Sequence, residues 1–115
     1  MMYSALRHLG AIAWKRRPIQ LTFFVTRRCN AHCPFCFYLQ STTPAPASGA
    51  ELDLDEIERL VRPLGSLLWL AFSGGEVFLR QDIVDIARLA YRHNRPAVML
   101  FSTNGLLPEL IRERA

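Results

Sequence analysis

From Pro18 to the last residue, three short apolar runs alternate with segments of helical periodicity, and this alternation restricts the fold more than any other feature. Residues 19–25 (Ile-Gln-Leu-Thr-Phe-Phe-Val) are rich in β-branched and aromatic side chains and read as a first strand. Residues 67–72 (Leu-Leu-Trp-Leu-Ala-Phe) are apolar throughout, as in a strand buried on both faces, and residues 97–101 read as a third strand. Between them, Asp53 with Glu56 three residues on forms a capping-box pattern. It opens a helix to about residue 63 or 65, with Ile57, Leu60, Val61 and Leu64 on one face. A second helix spans about residues 80–93, with Ile83, Ile86, Ala87 and Ala90 inward, and Asn94 is placed to close it before Pro96. Residues 106–115 read as a third.

Strands separated by helices imply right-handed crossovers and a parallel sheet, so the fold class is α/β with about three βα units. Three units do not close a barrel, and the third strand is left with an exposed apolar edge. Residues 41–50, a Pro/Ser/Thr/Ala stretch, read as a solvent-exposed connection. Met2, Leu6, Leu9 and Ala13 fall at helical spacing ahead of Lys15-Arg16-Arg17. They predict an extra N-terminal helix in an extension over residues 1–17, with the core over 18–115. That helix is too short to cross a bilayer, and a membrane partner is not expected.

With half of its 115 residues hydrophobic, the chain holds enough material for one small core. The net charge of +4 comes from scattered arginines and two short clusters, Lys15-Arg16-Arg17 and Arg27-Arg28. There is no basic tail or aromatic-interleaved stripe, which argues against a nucleic-acid partner. Arg27 and Arg28, beside the cysteine loop, either lie in a solvated loop or attract an anionic substrate or offset the charge of metal-bound thiolates.

A parallel sheet gathers the loops at the carboxyl ends of its strands along one edge. Here those loops are the unusual ones. After the first strand come Cys29, Cys33 and Cys36, the only cysteines, spaced C-x-x-x-C-x-x-C. An odd, clustered set with no signal peptide points to a reducing compartment, the cytoplasm, rather than a disulfide framework. Three thiolates at this spacing suit a four-iron cluster with one iron left open. Cys33-Pro34-Phe35-Cys36 also has the form of a thiol redox pair, and His32 with the three cysteines offers four zinc donors. After the second strand, Gly74-Gly75 permits positive φ and the close approach of a ligand to exposed backbone, and Glu76 suits an ammonium group. After the third come Ser102-Thr103-Asn104-Gly105. Taken singly, the last two loops are ordinary turns; their convergence with the cysteines suggests a site.

The order, spacing and strand placement of these three motifs resemble the first half of a radical S-adenosylmethionine (SAM) enzyme, of the branch that includes molybdenum-cofactor, heme-modifying and peptide-modifying enzymes. The resemblance runs from about Pro18 onward. It implies a partial (β/α)6 barrel of which this chain carries the first half. It implies that Cys29, Cys33 and Cys36 ligate a 4Fe-4S cluster whose open iron binds SAM, and that cleavage of SAM yields a 5′-deoxyadenosyl radical for hydrogen abstraction from a small-molecule or peptide substrate. By the same resemblance Phe35 lies against the adenine, Gly74, Gly75 and Glu76 hold the methionine amino group, and Thr103 or Asn104 lines the SAM or substrate side. A flavodoxin or ferredoxin is the expected electron donor. Val77 stands where many relatives have proline, which alters only the rigidity of that turn. The alternative is a non-catalytic module that binds zinc through the cysteine loop.

Overall fold

The structure, a computed structural model, describes residues 6, 9–14, 17–37 and 51–115. Its elements in chain order are α1 (Leu9–Ala13), β1 (Gln20–Thr26), α2 (Leu54–Val61), β2 (Trp69–Gly74), α3 (Ile83–Asn94), β3 (Val98–Phe101) and α4 (Pro108–Arg114). Short 3-10 turns, Arg62–Leu64 and Val77–Leu79, follow α2 and β2. The connection expected over residues 41–50 lies outside the described residues. Within the N-terminal segment α1 is a helix of five residues, and Leu9, Ala13 and Trp14 are exposed.

The three strands form one parallel sheet in the order β1-β2-β3, the α/β arrangement expected. Register lines up side chains of like kind. Leu21, Leu70 and Met99 form one row across the sheet, and Phe23, Phe72 and Phe101 the next. The ring centroids of Phe72 lie 6.4 Å from Phe23 and 5.1 Å from Phe101. Each such aromatic pair adds roughly 0.5–1.5 kcal/mol to the burial of its area.

On this face sits the core, in which Leu70 and Phe72 meet Ile57 and Val61 of α2 and Ile83, Ile86, Leu89 and Ala90 of α3. Helices α2 and α3 also pack on each other. When consecutive parallel strands are laid down in one direction by crossovers of one hand, every crossover helix falls on the same side. That is the construction of a barrel wall. It also corrects the expectation that the second strand is buried on both faces: Trp69 is 37% exposed, as are its helix-free neighbours Phe24 (42%) and Leu100 (41%).

The cap of α2 follows the sequence pattern closely. The Glu56 amide donates to Asp53 Oδ1 at 2.8 Å, and the Asp53 amide donates to Glu56 Oε2 at 3.0 Å. The end of α3 does not. Asn94 remains helical and fully buried, and its Nδ2 donates to Val61 O (2.8 Å) and Gly65 O (2.7 Å), joining the end of α3 to the turn after α2. The left-handed residue that reverses the chain is Arg95, at φ 37° and ψ 55°. Asn94→Ala strands two buried carbonyls and is expected to cost about 2 kcal/mol. A lower urea midpoint with an unchanged slope is the measurement that checks it.

Candidate functional site at the strand carboxyl ends

The carboxyl end of the sheet is drawn together by close backbone packing between β1 and β2. Their register slips between Phe24 and Thr26, so that Thr26 stands opposite Gly74. A bulge of this kind bends a strand next to a site. Beyond it the Gly75 amide donates to Thr26 O (3.0 Å) and the Glu76 amide to Arg28 O (2.8 Å), carrying the pairing past the sheet into the cysteine loop.

This pairing requires both glycines. A Cβ on Gly74, whose φ is +133°, would lie 2.2 Å from Thr26 O; one on Gly75 would lie 2.2 Å from Arg28 O and 2.9 Å from Cys29 Cβ. The close approach expected of a ligand is made instead by the chain itself, at Thr26 and at Arg28 and Cys29.

Glu76, 0% exposed, is the centre of the site. Its Oε1 accepts from the Phe78 amide (3.1 Å), which caps the Val77–Leu79 turn. Its Oε2 accepts from Thr103 Oγ1 and from the Asn104 amide, both at 2.8 Å. The carboxylate thus holds the loop after β3 against the loop after β2. Three donors offset the several kcal/mol that an unpartnered buried carboxylate would cost.

Asn104 carries the linkage back to the first loop. Its Nδ2 donates to Asn30 Oδ1 at 2.8 Å and reaches Cys29 Sγ at 3.8 Å. The Ala31 amide donates to the same sulfur at 3.4 Å. Cys29, Gly74, Gly75, Glu76, Thr103 and Asn104 accordingly form one connected group. Cys33 and Phe35 point outward, Phe35 being 84% exposed, and Cys36 is half-buried.

The three cysteines form no disulfide with one another. Their chemistry, three thiols on one loop with two N–H groups directed at the first, fits an iron-sulfur ligand set. Among the described residues no three of His, Cys, Asp and Glu stand close enough together to hold a single ion.

Two arginines that the sequence did not mark support the site from beneath. Arg80, 4% exposed, donates through Nη1 to Val25 O (2.6 Å) and through Nη2 to Leu52 O, and pairs with Asp82 through Nε at 2.7 Å. Arg114 of α4 donates to Phe78 O (2.5 Å) and Arg80 O (3.0 Å). Apart from Asp82, their acceptors are backbone carbonyls, which leave no trace in side-chain pattern. Arg28, weighed as a solvated residue or as one facing a substrate or thiolates, pairs instead with Glu51 at 3.1 Å. Partial burial raises the Glu51 carboxyl, but the Thr26 hydroxyl and Arg28 outweigh it and hold the group below its ordinary value.

A family model described as the radical SAM superfamily matches residues 23–115. Among curated relatives, the GTP 3',8-cyclase of Rhodopirellula baltica is 34% identical over 95 residues, covering 80% of this chain and 26% of that protein. The PqqA peptide cyclase of Rhodopseudomonas palustris is 35% identical over 75 residues (64% of this chain, 19% of that protein). The pre-heme d1 synthase of Dinoroseobacter shibae is 35% identical over 85 residues (70% and 19%). The chain thus spans about a quarter or less of the length of these relatives.

Two outcomes follow for stability. Gly75→Ala forces the Arg28–Cys29 backbone away and is expected to cost about 1–3 kcal/mol, with the largest amide chemical-shift changes at Arg28, Cys29 and Glu76. The hydrogen bond from Arg80, more than the opposing effect of burial, holds the Asp82 carboxyl below its ordinary value. A depressed folded-state pKa adds stability that is complete above the unfolded value, near pH 4, and is lost as pH falls through the folded value. Asp82→Asn is therefore expected to flatten the acid limb of a stability-against-pH curve and to leave its slope unchanged above about pH 5.

Proposed function

The chain belongs to the radical SAM superfamily, and on that premise we propose that its strand-end site holds a 4Fe-4S cluster through Cys29, Cys33 and Cys36 and binds SAM at the iron that the protein leaves open. The observation that carries this reading is the joining of the three loops through Glu76 and Asn104. It puts the first cysteine, the Gly-Gly-Glu segment and the Thr-Asn turn on one surface. The cluster would be held by these three sulfurs, and the segment from His32 to Phe35 between the first and last of them is exposed.

Bound there, the cluster supplies one electron to SAM, whose cleavage gives methionine and a 5′-deoxyadenosyl radical that removes hydrogen from a substrate. The tasks of this chain are to bind and to orient. The Gly74-Gly75-Glu76 segment receives the methionine amino group. The Glu76 carboxylate is buried and accepts one bond at Oε1 and two at Oε2, so it has acceptor capacity left for an ammonium but meets one only where the loops above it open. Phe35, extended into solvent, is available to fold against the adenine.

The relatives named above are, by their names, a cyclase of GTP, a cyclase of the PqqA peptide and a synthase of pre-heme d1. For this chain we propose a small-molecule or peptide substrate and a one-electron donor of the flavodoxin or ferredoxin type in the cytoplasm. Among the described residues no helix is long and apolar enough to cross a membrane.

The test is anaerobic reconstitution with iron and sulfide, followed by low-temperature electron paramagnetic resonance of the reduced protein with and without SAM. A cluster signal that changes on adding SAM is expected, and Cys29→Ala, Cys33→Ala and Cys36→Ala are each expected to abolish it, since three ligands leave none to spare. Stoichiometric zinc in a colourless protein would replace this reading with that of a zinc-binding module.

A further inference from the structure

Asn104 is held at four points. Its backbone N–H donates to Glu76 Oε2 (2.8 Å), its Oδ1 accepts from the Leu106 amide (2.9 Å), and its Nδ2 donates to Asn30 Oδ1 (2.8 Å) and reaches Cys29 Sγ (3.8 Å). The Leu106 and Asn30 bonds settle which end of the carboxamide carries the nitrogen, because the opposite assignment would set donor against donor at Leu106 and acceptor against acceptor at Asn30. One amide hydrogen is taken by Asn30, and the other is directed to the sulfur. Glu76, buried and committed, prevents this loop from turning away.

We propose that Asn104 is a tuning residue of the iron-sulfur centre, donating a hydrogen bond to the Cys29 sulfur that raises the reduction potential of the cluster. The inference rests on the reading that Cys29 is a ligand. Its physical basis is charge: adding an electron to the cluster increases negative charge on the ligating sulfurs, and an N–H aimed at one of them stabilises the reduced form over the oxidised. Asn104 thereby joins the loop after β3, on the substrate side of the site, to the ease with which the centre accepts its electron.

The experiment is a redox titration of the anaerobically reconstituted intact protein, followed by electron paramagnetic resonance, on wild type, Asn104→Leu and Asn30→Ala. Asn104→Leu keeps the bulk and removes the donor. At the wild-type midpoint it is expected to show a roughly tenfold lower ratio of reduced to oxidised cluster, about 59 mV for a one-electron couple. Asn30→Ala removes the bridge between loops but leaves the N–H on the sulfur, and is expected to hold the wild-type midpoint. Should Asn104→Leu fail to load iron, Asn104→Ser carries the same expectation, because its hydroxyl still accepts from the Leu106 amide while falling short of Cys29. An unchanged midpoint in the loaded Asn104 variants overturns the proposal and leaves cluster binding intact. An equal shift in Asn30→Ala assigns the effect to loop bracing and also overturns it. A wild type that assembles no cluster defeats the parent reading, and this inference with it.

Discussion

The buried carboxylate of Glu76 is the interaction on which the geometry of the strand ends depends. Without donors it would be among the most costly groups in the interior. With the Phe78 amide, the Thr103 hydroxyl and the Asn104 amide around it, it fixes two loops that the sheet alone leaves free. Its own backbone N–H binds Arg28 O, so the loop after β1 is held by the same residue. Loops are the mobile part of an α/β fold, and a functional surface built from three of them needs a fastening of this kind.

The sheet supplies the frame for that fastening. Same-handed crossovers place α2 and α3 on one face, and the aromatic row of Phe23, Phe72 and Phe101 stiffens the strands near their carboxyl ends. Phe78 adds to that row from the turn after Glu76, its ring centroid 5.9 Å from that of Phe101. Core and site therefore share a boundary: Val77 and Phe78 are buried with the core, while the residue just before them closes the loops.

Much of this was legible in the sequence because it is written in periodicity and in side-chain type. The strand-helix alternation, the capping box at Asp53 and Glu56, and the meeting of the three unusual loops each follow from rules local to a few residues. Three features were not legible, for related reasons. Asn94 looked like a helix closer because asparagine tolerates left-handed backbone, yet burial turned its amide to a bridging task and left the reversal to Arg95. Gly74 and Gly75 signalled the close approach of a ligand, but what approaches is the backbone of Thr26 and Arg28 with Cys29 Cβ beside it. Arg80 and Arg114 were missed because the distant carbonyls they bind belong to no particular residue type; Asp82, two residues from Arg80, was the one side-chain partner that could have marked it.

Those carbonyls have a consequence for how a site like this drifts over evolutionary time. Six of the acceptors that shape it, on Val25, Thr26, Arg28, Leu52, Phe78 and Arg80, are offered by the peptide backbone whatever side chain the position carries. Selection acting on the architecture falls on the Glu76 carboxylate, on the side-chain donors and on the glycines, and those six positions are released to answer to packing or charge. Descendants of one ancestral loop arrangement could keep its shape to within a bond length while sharing little more than these scattered letters.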